Sequence, residues 1–207
     1  MLAIAGPVIE YWLIPNYWSP LFLVHISYRS WHFGIEDFLL TFAIAGISAG
    51  LFEGVALRRG FPELPRVTDK ALLRIFAFCA LGFFLMVLLA SVLRLTPIHA
   101  LLLAVVIPTG LILFKSWRIL SIVFPIAMVF GLLFWLHYIL LILTLFPGLI
   151  QAWWNLDATF GIMLLGIPIE EMLWAFTAVL FAGPVYRICC SGSLGNILDI
   201  RKYFKLE

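Results

Sequence analysis

Charge is what this sequence has least of. Asp, Glu, Lys and Arg make up 12% of its 207 residues, against about 25% in soluble domains, and 64% are hydrophobic. With a mean hydropathy of +1.12, a water-soluble globular domain is excluded and an integral membrane protein is implied. The net charge is only +2 and no basic run has the length of a binding patch, so no nucleic-acid partner is expected. Three cysteines set no disulfide framework, because Cys189 and Cys190 are adjacent and Cys79 falls in an apolar run. The start lacks the positive region of a cleavable signal peptide. A Gly-rich phosphate loop, a nucleophile elbow and a dinucleotide fingerprint are missing too, so no cofactor is expected. His32, His99 and His137 have no spacing suited to a metal; no metal site is expected and each reads as a packing residue.

Long apolar runs are there instead. A bilayer core of about 30 Å takes about 20 apolar residues per helix, and five runs qualify: about 35–57, 71–93, 98–114, 119–146 and 159–186. The last helix can start at Thr159 or at Pro168, a favoured first helical position, and the polar residues before Gly34 in the matching first stretch favour the later start, with its acids in the outer half. The first 34 residues are less regular. The run to Ile14 is short for a span, and Tyr11, Trp12, Tyr17, Trp18 and Trp31 suit the headgroup level, as do Trp153 and Trp154. Glu10 and Glu53 read as snorkelling side chains, with support of the site's residues as the alternative for either. Gly46 and Gly50 suggest a close helix contact. The fold class expected is all-α: a polytopic transmembrane helix bundle of five to six or more spans. If the first span runs inward, eleven of the thirteen Lys and Arg residues fall on one side. The positive-inside rule makes that side, and the C-terminus, cytoplasmic.

Two places break the apolar background with paired acids. One is Gly166-Ile-Pro-Ile-Glu170-Glu171-Met-Leu-Trp174-Ala-Phe176; the other is Phe33-Gly34-Ile35-Glu36-Asp37-Phe38-Leu-Leu-Thr-Phe42. They align without gaps at one offset of 134 residues, which implies two related repeats within a single membrane domain. The approximate boundaries are 1–70 for the first repeat, 71–118 for connecting helices, 119–190 for the second repeat and 191–207 for a tail. The repeats are unequal: a full helix precedes the second motif and only a fragment the first. Either part of that helix is lost or the reading frame begins inside it.

Acids inside a membrane cost about 2.5–3.5 kcal/mol even on lenient scales. A helix N-terminus returns about 0.3–1 kcal/mol, too little for two acids in each of two helices unless they reach water. Adjacent helical residues point about 100° apart, so the members of a pair do not share a proton. One acid from each pair facing across the repeat interface, walled by Phe33, Phe38, Phe42, Trp174 and Phe176, describes a site for cationic chemistry on a hydrocarbon. A proton relay would use the same acids but needs a hydrated path. An intramembrane prenyl-protein protease expects Arg where Ala175 stands.

The duplicated motif resembles the membrane-integral lycopene cyclase domain, the small flavin-independent type of carotenoid cyclase. Pro168-Ile-Glu-Glu-Met-Leu-Trp174 matches its pattern; the first copy has Gly34 for the usual Pro and Asp37 for the second Glu. The resemblance implies redox-neutral, acid-catalysed ring closure at the ends of a linear carotenoid or related polyisoprenoid lipid. By that likeness Glu170 and Glu36 are the expected proton donors, with Glu171 and Asp37 as bases or cation stabilisers. A non-catalytic carotenoid-binding or structural subunit of a membrane complex is the alternative, and oligomerisation is compatible with either.

Overall fold

The computed structural model describes residues 5–29, 31–114 and 117–191. It is an all-α bundle in which five helices are long and apolar enough to cross a membrane. A short helix α1 (Ala5–Leu13) is followed by the hairpin of β1 (His25–Tyr28) and β2 (Trp31–Gly34). Helices α2 (Ile35–Arg58), α3 (Asp69–Leu93), α4 (Pro97–Phe114) and α5 (Trp117–His137) come next. A π-helical turn (Tyr138–Leu143), the short α6 (Leu149–Trp153), a 3₁₀ turn (Leu156–Ala158) and a second hairpin of β3 (Met163–Leu164) and β4 (Ile167–Pro168) lead into α7 (Ile169–Ser191). The tail, and Lys115 with it, lie outside the described residues.

Helix α7 is the axis of the bundle: α2, α3, α4 and α5 all pack against it. Its buried positions run round the whole circumference, as expected of a central helix in a membrane protein. By contrast α2 and α3 have little packed contact with each other, although they are consecutive; α3 joins the bundle through α4 and α7.

Helices α2 and α7 each begin directly after a hairpin, at Ile35 and Ile169, the same offset that relates the acid pairs. Of the two starts the sequence allows for the fifth span, Thr159 and Pro168, the structure takes the later, with α7 beginning just after Pro168. Residues 156–168 are spent on the 3₁₀ turn and the hairpin, and the acids stand in the first turn of α7. The expected fourth span, 119–146, likewise ends its α-helical part at His137 and continues as the π turn. Such turns re-aim the side chains they carry, here Tyr138.

Three local readings are corrected. A Cβ at Gly46 or Gly50 would meet nothing within 4 Å, so neither supports a close helix contact. That role belongs to Gly183, where a Cβ would lie 2.9 Å from Phe52 Cβ, and to Gly6, where it would lie 2.6 Å from the Asp37 carbonyl oxygen. Trp154 is buried rather than interfacial. Glu53 does not snorkel: Arg187, 3% exposed, donates to its Oε2 at 2.5 Å and to the Pro62 carbonyl at 2.8 Å. That clamp closes the end of the bundle opposite the paired acids.

Candidate active site

The two acids of each motif have divided labour, because neighbours on a helix point in different directions. The first acid of each pair turns back to the chain that precedes its hairpin. Glu36 accepts hydrogen bonds from the backbone N–H of Leu23 at 2.6 Å and Val24 at 3.4 Å. Glu170, fully buried, accepts from the backbone N–H of Phe160, and its Oε1 lies 3.5 Å from His99 Nε2. His99 in turn stacks on Phe160 at 3.9 Å between ring centroids and pairs through Nδ1 with Thr96 Oγ1 at 2.8 Å. Both first acids therefore brace a loop.

The second acid of each pair faces inward. Asp37, 5% exposed, accepts from the Gly34 N–H at 2.8 Å and so caps its own helix. The first motif has Gly where the second has Pro for a steric reason: a Cβ at Gly34 would collide with Phe22 and with the Glu36 carboxylate. Glu171, 7% exposed, is held by three donors. Its Oε1 accepts from Tyr17 Oη at 2.6 Å and Trp154 Nε1 at 2.8 Å, and its Oε2 accepts from Tyr138 Oη at 2.5 Å.

Three separate segments deliver those donors, and backbone pairing fixes two of them together. Ser19 N–H donates to the Trp153 carbonyl at 2.7 Å and Asn155 N–H to the Tyr17 carbonyl at 2.8 Å. The chain after α1 is thereby tied to the turn after α6, and Tyr17 and Trp154 converge from opposite ends of the sequence. The same tie brings in Glu10. It is 8% exposed, and Trp18 Nε1 donates to its Oε2 at 2.8 Å.

Glu10, Asp37 and Glu171 all line one cavity of about 420 Å³ bounded by α1, α2, α3, α4, α5 and α7. This lies in the size range of small-molecule sites. Its polar groups gather at the end where the acids stand, with Tyr17, Trp18, Thr41 and Tyr138. The remainder is apolar apart from Thr177 and Cys79 and runs beside α7 as far as Ala182, eleven residues beyond Glu171, or about 16 Å at 1.5 Å per residue. Leu40 and Phe76 line it from α2 and α3 and are also exposed on the outer face, so the cavity lies beside the loosely packed α2–α3 seam.

Of the aromatic walls expected from the motifs, only Trp174 lines the cavity, where it meets Phe134 at 5.7 Å. Phe33 packs on Phe38 at 5.9 Å, Phe176 meets Phe124 edge-on at 5.7 Å, and Phe42 is 68% exposed on the outer surface. The other aromatic walls are Phe76, Phe83, Phe134 and Phe181, with Tyr17, Trp18 and Tyr138 at the polar end. Among the described residues no group of three or more His, Cys, Asp or Glu is placed to hold a metal.

Carboxyl groups thus stand at one end of a cavity lined largely by hydrocarbon, and one comparison bears on the same residues. Residues 95–189 fit the family model described as lycopene cyclase. That stretch belongs to the lycopene cyclase family. The lycopene cyclase segment takes in α4 to α7 and so supplies His99, Tyr138, Trp154, Glu170, Glu171 and Trp174. Glu10, Tyr17 and Asp37 lie outside the matched residues but line the same cavity as Tyr138, Glu171 and Trp174 of that segment; Glu36, also outside them, does not line it. No curated protein and no solved structure matches the chain.

Proposed function

We propose that this membrane protein closes rings at the ends of a linear carotenoid, or of a polyisoprenoid like it, by proton transfer and without redox change. The observation that carries the reading is the placement of Glu171. A carboxyl group with three donors stands at the polar end of a largely apolar cavity, inside the stretch that belongs to the lycopene cyclase family.

The chemistry follows from that layout. A proton added to the terminal alkene leaves a tertiary carbocation. The neighbouring double bond attacks it, forming the ring C–C bond, and loss of a proton from the ring sets the final double bond. One proton enters, one leaves, and no electrons are exchanged. The faces of Trp174 and Phe134 offer π density to the cation, and the carboxylates Glu171 and Asp37 offer negative charge. Exclusion of water keeps the cation from being trapped as an alcohol. In this reading Glu171 and Asp37 act on the substrate, whereas Glu170 and Glu36 position the loops around it.

A cavity about 16 Å long takes one end of a long polyene and leaves the rest outside. The α2–α3 seam is the natural passage, since the substrate is dissolved in the bilayer that seam faces. Ring closure would then proceed one end at a time. The C-terminus is assigned to the cytoplasm on the distribution of Lys and Arg, with the acids in the outer half of the membrane.

The test is expression in a lycopene-accumulating bacterial host followed by pigment analysis. The expected product is a cyclic carotene. Lycopene left unchanged, with the protein inserted and lycopene retained on it, would favour a carotenoid-binding subunit instead.

A further inference from the structure

We propose that Glu10 is the acid that gives the substrate its proton and that Glu171 is the base that takes one back. This rests on the cyclase reading above and assigns the two ends of its proton balance.

The three carboxyl groups on the cavity are not equivalent. Glu171 accepts three hydrogen bonds, two on Oε1 and one on Oε2, which leaves one acceptor site on Oε2 for an incoming proton, and one of its three donors is a Trp N–H, which can do nothing but donate. Its surroundings suit a carboxylate. Asp37 stands in the first turn of α2, where backbone N–H groups and the helix dipole favour negative charge, and it holds the Gly34 N–H. Glu10 has neither advantage. It lies beyond the middle of α1, toward the carbonyl end of the helix, where the dipole disfavours an anion. One side-chain donor reaches it, Trp18, and it is nearly as buried as the other two.

Of the three, then, Glu10 is the group whose neutral form the site suits best, and a neutral carboxylic acid facing an alkene is a proton donor. Two carboxylates opposite reinforce this. Asp37 faces Glu10 from α2 and Glu171 faces it from α7, and both raise the cost of a third negative charge. The other titratable groups that line the cavity are Cys79, from α3, Tyr17, from the chain after α1, and Tyr138, from the π turn; both tyrosine hydroxyls are committed to Glu171. Burial, with those two carboxylates, pushes the Glu10 carboxyl up to about 8. The short helix α1 that carries it is not one of the five spans. Gly6 sets its place: only a residue without a side chain lets α1 lie against the first turn of α2.

The step balances. The Glu10 O–H bond breaks as a C–H bond forms at the terminal alkene carbon, the ring C–C bond closes, and a ring C–H bond gives its proton to Glu171. Return of that proton from Glu171 to Glu10 across the shared cavity resets the site.

The experiment is the pH dependence of lycopene cyclisation by the full chain in lipid vesicles, comparing wild type with Glu10→Gln, Glu10→Asp and Trp18→Phe. Because the donor must be protonated, the wild-type rate is expected to be full at lower pH and to fall as pH rises through about 8. Glu10→Gln should lose about a hundredfold or more in rate while retaining lycopene, and Glu10→Asp should keep part of it. Trp18→Phe removes a hydrogen bond that favours the ionised form, so its alkaline limb should move to higher pH. A residue that merely supports the fold would leave that limb where it is. If Glu10→Gln fails to insert, Glu10→Asp and the Trp18→Phe profile decide the matter. Cyclisation by Glu10→Gln at the wild-type rate, or an unmoved limb in Trp18→Phe, overturns the assignment and leaves the cyclase reading standing. Absence of ring product from the inserted wild type at every pH overturns both.

Discussion

Tyr17 and Glu171 are 154 positions apart in the chain and 2.6 Å apart in space. The hydroxyl comes from an irregular segment after the first helix and the carboxylate from the opening turn of the last. Their contact is where the N-terminal segment joins the stretch that belongs to the lycopene cyclase family.

The first prediction concerns those donors. A hydrogen bond to a charged group is worth about 1.5–3 kcal/mol. Tyr17→Phe and Tyr138→Phe should therefore each slow ring formation by about ten- to a hundredfold, with lycopene still retained by the protein. Trp154→Phe should act in the same direction. Initial rates in lipid vesicles, normalised to inserted protein, check this; rates equal to wild type would show that the three donors are idle.

The clamp at the opposite end should matter for stability and not for chemistry. Replacing Arg187 by Met leaves the Glu53 carboxylate and the Pro62 carbonyl without their donor. Removing one partner of a buried pair costs about 3–5 kcal/mol; Glu53 is 17% exposed, so the lower end of that range is expected. Thermal unfolding in detergent should register the loss. The identity of the product made at low temperature should not change.

Glycine positions give a matched pair of tests. A methyl group at Gly183 would press on Phe52 Cβ at 2.9 Å, and overpacking of that kind costs about 1–3 kcal/mol. At Gly50 there is open space, and Gly→Ala inside a helix gains about 0.5–1 kcal/mol. Gly183→Ala should thus lower the unfolding temperature and Gly50→Ala raise it. The reverse order would mean that the α2–α7 contact is not as close as described.

Much of this architecture is legible in the residues. Five apolar runs of spanning length give the bundle, and carboxylates against an apolar background mark the helix starts at Ile35 and Ile169. The rest depends on rotation and long-range pairing. The sequence offers Glu170 and Glu171 on equal terms, since 100° of helical turn separates them and only packing decides which one looks inward. Trp154 reads as an interfacial ring because its composition signal is the same whether the indole meets headgroups or a carboxylate. Glu10 is unremarkable until the chain after α1 is paired with the turn after α6. His99 and Glu170 meet only because α4 and α7 are neighbours. Gly46 and Gly50 have the spacing of a close contact, but α2 turns its other side to α7.

The account stands or falls on Glu171 acting on a polyisoprenoid held in the cavity beside it. The direct measurement is the yield of cyclic end groups from lycopene in lipid vesicles, per inserted protein, for wild type and Glu171→Gln. The account predicts ring formation by the wild type and a loss of about a hundredfold or more in Glu171→Gln, with lycopene retained by both. Ring formation by Glu171→Gln at the wild-type rate would contradict it.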